Sequence, residues 1–104
     1  MSRFKKKKPQ SKDENISKKV ILGDETGLHI RPASLLAKMA GGFESEISVN
    51  KEGRAANAKS IMEILTLGAA GGSVIEITAT GKDAAEAVET IANFIEKGFV
   101  DGGG

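Results

Sequence analysis

Ile75-Glu76-Ile77-Thr78-Ala79-Thr80-Gly81-Lys82-Asp83-Ala84-Ala85-Glu86-Ala87-Val88 decides the fold, because its hydrophobic period changes halfway through. Ile75, Ile77 and Ala79 alternate with Glu76, Thr78 and Thr80, the pattern of a strand with one buried face, and Gly81 ends it. After Gly81 the period becomes helical. Ala84, Ala87, Val88, Ile91 and Ile95 form one stripe, Asp83 and Glu86 have the spacing of an N-terminal capping box, and Gly98 is placed to close the helix. A half-wet strand leading into a helix with one apolar face needs a second layer on one side only.

The same two periods recur on both sides of this stretch. Upstream, Val20 and Leu22 around Ile21 predict a first strand over Ile16 to Leu22, closed by a Gly23-Asp24 turn. Ala33, Leu36, Ala37 and Ala40 predict a helix from Pro32 to the Gly41-Gly42 stop. Ile47 and Val49 alternate with Glu46, Ser48 and Asn50, and a Lys51-Glu52-Gly53 turn leads to a weak strand, Arg54 to Asn57. Ser60 and Glu63 have capping-box spacing ahead of a short helix with Ile61, Ile64 and Leu65 on its apolar face. The order β-α-β-β-α-β-α predicts an α+β fold, an open-faced two-layer sandwich with a mainly antiparallel sheet and helices on one side.

Composition narrows the class. The 104 residues, 39% of them hydrophobic, suit one domain with a modest core. Cysteine is absent, so disulfides and thiolate metal sites are excluded, which fits a cytoplasmic protein. No run approaches the roughly 20 apolar residues of a membrane helix, so no membrane insertion is expected. The net charge of +1 conceals an asymmetry: eight of 15 basic residues lie in the first nineteen positions, whereas Val20 onward holds seven Lys plus Arg against 12 Asp plus Glu. Residues 1–15 read as a disordered basic tail, 16–99 as the folded domain and 100–104 as a flexible end.

The chain's one histidine stands between a glycine and a helix start, in Thr26-Gly27-Leu28-His29-Ile30-Arg31-Pro32-Ala33. A helix N-terminus presents unpaired N–H groups and the positive end of the macrodipole, so an anion formed on His29 would meet backbone donors and the Arg31 guanidinium. A phosphoryl group is such an anion, which makes His29 a nucleophile and Arg31 its charge clamp. A capping role alone would call for Ser, Thr, Asp or Asn. One histidine without clustered ligands falls short of a metal site, and no nucleophile elbow supports a Ser-His-Asp hydrolase. No cofactor is expected.

Gly27-Leu28-His29-Ile30-Arg31-Pro32-Ala33, with Asn57-Ala58-Lys59-Ser60-Ile61-Met62 about thirty residues later and then Leu67-Gly68, resembles the histidine-containing phosphocarrier protein (HPr) family of the bacterial phosphoenolpyruvate-dependent phosphotransferase system. The likeness spans about Ile16 to Phe99. It implies sheet order 1-4-2-3, phosphorylation of His29 at Nδ1 by enzyme I, neutralisation of the phosphoryl group by Arg31, and onward transfer to sugar-specific or related acceptor proteins. It also implies a docking patch at Leu35, Ile61, Met62 and Leu65, although Ile61 and Leu65 read equally well as core. The chain would then be a monomeric, stoichiometric carrier rather than an enzyme.

Ser60 carries two readings, an N-cap and, by the resemblance, the target of a serine kinase and phosphorylase. Glu63 departs from the glycine or lysine common in the family, and its carboxylate would compete with phosphoserine for the same backbone donors. Ile30 replaces a small residue, Gly41 replaces a basic one that Lys38 partly substitutes, and the Lys-rich tail is an addition. Two rivals remain. One is a regulatory module of the same fold, switched by phosphorylation. The other is a nucleic-acid binder with a basic arm, disfavoured because Tyr and Trp are absent and the four Phe residues form no strand-borne stacking platform.

Overall fold

In the computed structural model, residues 14–23 and 29–99 are described. Along them run β1 (Glu14–Ile21), α1 (Ile30–Ala40), β2 (Glu46–Lys51), β3 (Arg54–Asn57), α2 (Ile61–Thr66), β4 (Val74–Gly81) and α3 (Ala84–Glu96). The expected tail over 1–15 lies outside the described residues except for Glu14 and Asn15. The expected loose end at 100–104, the turn residue Asp24 and the motif residues Thr26, Gly27 and Leu28 also lie outside them.

The sheet order is β1-β4-β2-β3, antiparallel throughout. β4 is interior, with Ile77 opposite Lys18 on one side and Val49 on the other. Its alternation is read as expected: Ile75, Ile77 and Ala79 are buried, and they meet Ile47, Val49 and Val20 in one core. Each fully buried Ile or Val contributes roughly 1.5–3 kcal/mol of hydrophobic stabilisation. β2 and β3 join through a two-residue turn, Glu52-Gly53, with positive φ at both positions, as the right-handed twist of a hairpin favours.

The helices supply the second layer. α3 packs on β1 and β4 through Ala84, Ala87, Val88, Ile91 and Ile95, and α1 packs against α2 and α3. α3 closes in a Schellman arrangement: Gly98, at φ +80, donates to the Ile95 carbonyl, and Phe99 N–H reaches the Phe94 carbonyl at 2.9 Å. The Phe94 and Phe99 rings then meet edge to face with centroids 5.5 Å apart. No helix among the described residues is long and apolar enough to cross a membrane.

Four local expectations are corrected. β1 begins at Glu14 rather than Ile16, because the Glu14–Gly81 and Asn15–Thr80 pairs extend the ladder where side-chain periodicity gives no signal. α1 begins at Ile30, two residues before Pro32. Asp83 precedes α3 but makes no side-chain cap bond to it, because its carboxylate is engaged elsewhere. The Ser60–Glu63 box is half formed: Ser60 Oγ accepts the Glu63 N–H at 3.2 Å, whereas Glu63 Oε1 accepts from Asn57 N–H and not from Ser60.

Candidate functional site

His29 is the N-cap of α1, in extended backbone conformation and exposed, and its side chain makes no cap hydrogen bond. The reason lies three residues on. An N-cap side chain normally accepts from the N–H of the second or third helical residue. Pro32 is the third, and it has no N–H. The first intrahelical bond is Ala33 N–H to the His29 carbonyl at 2.9 Å. Proline therefore removes one of the two usual donors to a cap at no cost to the helical ladder.

Arg31 is the second residue of α1 and is exposed. No acidic side chain stands in the first turn, and among the described residues Arg31 joins no ion pair. The amides of Ile30 and Arg31 lack intrahelical acceptors by helix geometry. The start of α1 thus combines an imidazole, a guanidinium and the positive end of an 11-residue helix. Among the described residues no group of three or more His, Cys, Asp or Glu could hold a metal ion.

The predicted docking residues divide. Met62 is 73% exposed, Leu35 39% and Ile61 36%, so these three stand at the surface of α1 and α2. Leu65 is half-buried and packs against the core. Ile64 is the one fully buried residue of α2. Ile30, next to His29, is 66% exposed and adds an apolar surface that sequence reasoning gave no docking role. Its spacing from Ala33 and Ala37 places it on the apolar stripe, so periodicity alone would have buried it.

Ser60 and Glu63 hold the approach to α2. Asn57 Oδ1 accepts the Lys59 N–H at 2.8 Å, and Glu63 Oε1 accepts the Asn57 N–H at 2.9 Å. Lys59 Nζ donates to the Phe43 carbonyl at 2.8 Å and ties this turn to the connection after α1. Sequence reasoning missed that contact because its partners lie 16 residues apart with no local signature.

Comparison with known proteins bears on the family and the fold. Residues 16–97 match the family model for the HPr component phosphorylation site of the phosphotransferase system. The HPr-like protein Crh of Halalkalibacterium halodurans is 43% identical over 82 residues, 79% of this chain and 98% of that protein. The structure of HPr from Thermoanaerobacter tengcongensis superposes with a TM-score of 0.77 at 39% identity, covering 81% of this chain and 94% of that one. Crh of Bacillus subtilis, described as a domain-swapped dimer, gives 0.67 at 35% identity, covering 74% and 88%. With four-fifths of its length matched by the family model and a shared fold throughout that span, this chain belongs to the HPr family of phosphotransferase-system phosphocarriers.

Proposed function

We propose that His29 accepts a phosphoryl group from enzyme I and passes it to a sugar-specific or related acceptor protein. The observation that carries this reading is an exposed histidine at the N-cap position of α1, the positive end of the helix, with Arg31 two residues on. In each transfer a ring nitrogen of His29 attacks phosphorus, the new N–P bond forms as the donor's bond to phosphorus breaks, and the reverse step regenerates the imidazole. Arg31 and the first amides of α1 balance the negative charge that the ring acquires. The partner enzymes supply in-line geometry, and this chain is their stoichiometric substrate.

Partners dock on Leu35, Ile61 and Met62, with Leu65 beneath them and Ile30 alongside. A small apolar patch ringed by polar groups suits brief binding to successive proteins. In this reading residues 16–99 form the cytoplasmic carrier domain, acting as a monomer. Incubation with phosphoenolpyruvate and enzyme I tests it: the product expected is an acid-labile, alkali-stable adduct at His29. Failure of the folded protein to form that adduct, or its persistence in His29→Ala, rejects the reading.

A second, regulatory reading is favoured by the similarity to Crh, a protein described in terms of catabolite repression. Ser60 is its modification site. Its hydroxyl already accepts the Glu63 N–H, and Glu63 holds the neighbouring Asn57 N–H, so a phosphate on Ser60 would displace the carboxylate from this turn. Incubation with a serine kinase, with Ser60→Ala as control, separates this reading from a carrier that uses His29 alone.

A further inference from the structure

The sequence holds no cysteine, so its oxidisable sulfur is confined to three methionine thioethers. Met39 and Met62 lie among the described residues, and the fold treats them oppositely. Met39, near the end of α1, is half-buried and packs against the core. Met62, the second residue of α2, has the highest exposure of any large hydrophobic among the described residues. Ile64 is buried in the core and Leu65 packs against it, so α2 is held in place without the Met62 side chain. Ile61 on the same helix and Leu35 on the neighbouring α1 are also exposed. The most accessible thioether therefore stands within the apolar surface that the two helices present.

A thioether is oxidised where an oxidant can reach its sulfur, and peroxides are the class suited to that step. A sulfur lone pair attacks one peroxide oxygen, a sulfur–oxygen bond forms, and the O–O bond breaks. Sulfur gives up two electrons, and the peroxide accepts them and leaves as water or an alcohol. The product replaces a flexible apolar tip with a polar one whose oxygen accepts hydrogen bonds. On the free protein water satisfies that oxygen, so the fold does not change. Under a docked partner that water is lost, and a polar oxygen without a donor opposes burial. A sulfoxide reductase taking two electrons and two protons from a dithiol restores the thioether and releases the oxygen as water.

On the carrier reading of His29, we propose that Met62 is a reversible oxidation site. Peroxide converts its thioether to the sulfoxide, and the sulfoxide weakens docking of the phosphoryl donor while leaving the fold and the His29 imidazole unaltered. Met39, shielded by its packing, reacts later.

Full-length protein treated with hydrogen peroxide, cleared of the excess with catalase and then mixed with enzyme I tests this. Peptide mass mapping should find the added oxygen on Met62 well before Met39, with the urea midpoint unchanged. Phosphoryl acceptance at sub-saturating carrier should fall several-fold and recover after treatment with a methionine sulfoxide reductase and dithiothreitol. With each variant compared with its own untreated rate, Met62→Leu should lose the sensitivity to peroxide, and Met39→Leu, a volume-conserving change, should keep it. Oxidation of Met39 as early as Met62, an untreated rate for the Met62 sulfoxide, persistence of the loss in Met62→Leu, or a loss that tracks a fall in the urea midpoint overturns the proposal. Failure of the untreated protein to form the His29 adduct rejects the carrier reading itself, and the proposal falls with it.

Discussion

Asp83 and Ser45, 38 residues apart, are joined through one carboxylate oxygen: Asp83 Oδ1 accepts both the Ser45 backbone N–H, at 2.9 Å, and the Ser45 hydroxyl. Asp83 Oδ2 accepts the Glu44 N–H at 2.9 Å. The residue that stands before α3 thus fastens the connection between α1 and β2. Ser45 is a buried polar residue, 1% exposed, and this carboxylate is what satisfies its hydroxyl.

A pH dependence follows. The Ser45 hydroxyl bond first, and then the Glu44 N–H, hold the Asp83 carboxyl below its ordinary value. A depressed folded-state value means that its stabilisation is complete above the ordinary carboxylate value of about 4 and is lost as pH falls through the depressed one. Asp83→Asn keeps an acceptor for Ser45 but turns an N–H donor toward the Glu44 N–H. It should be less stable than the parent at neutral pH, and the difference should narrow on acidification. Urea midpoints from about pH 6 to about pH 3 measure this, and a gap constant over that range rules it out.

Within α2, neighbouring apolar residues should behave oppositely. Ile64 is fully buried, so Ile64→Ala should lose about 2–5 kcal/mol. Met62→Asp should change stability by less than about 0.5 kcal/mol, because Met62 is mostly exposed. The same Met62→Asp should slow phosphoryl exchange with enzyme I several-fold by placing a charge in the docking patch. Equal destabilisation by the two substitutions would show that Met62 belongs to the core.

Ser60→Ala should cost about 1 kcal/mol, the usual value of an N-cap. Because Ser60 Oγ accepts the Glu63 N–H and the Glu63 carboxylate accepts the Asn57 N–H, the two side chains secure one turn. Ser60→Ala and Glu63→Ala should therefore be non-additive by about 0.5 kcal/mol or more in a double-mutant cycle. Strict additivity would separate the cap from the carboxylate.

What the sequence made legible is what depends on period and local chemistry. Ile75, Ile77 and Ala79 announce their burial by alternation, and Gly98 announces the end of α3 by its place after the apolar stripe. The order of the strands required the resemblance, because β1 and β4 are far apart in sequence and their pairing leaves no local mark. His29 and Arg31 were readable as candidates because glycine, histidine, arginine and proline make an unusual helix start, although the exact N-cap was displaced by two residues from the position that Pro32 suggested. Asp83 was misread for a physical reason: a carboxylate before a helix has the same local signature whether it caps that helix or binds amides 38 residues away. Exposure of Ile30 was likewise invisible, since a helical stripe does not say where the layer beneath it ends.

Arg31 gives the sharpest test of the charge balance at the start of α1. Its side chain is exposed and joins no ion pair among the described residues, so Arg31→Gln should leave unfolding free energy within about 0.5 kcal/mol of the parent. If the guanidinium offsets the phosphoryl charge, losing one exposed charge-assisted contact should slow phosphoryl acceptance about tenfold, equivalent to about 1.4 kcal/mol. Arg31→Lys keeps the charge but not the planar fork, and should fall between the two. Rapid-quench measurement of phosphoryl transfer from enzyme I, beside urea unfolding of each variant, reads both quantities. Equal rates for Arg, Lys and Gln at position 31 would leave the helix amides as the source of compensation, whereas a parallel loss of rate and stability would assign Arg31 to the fold.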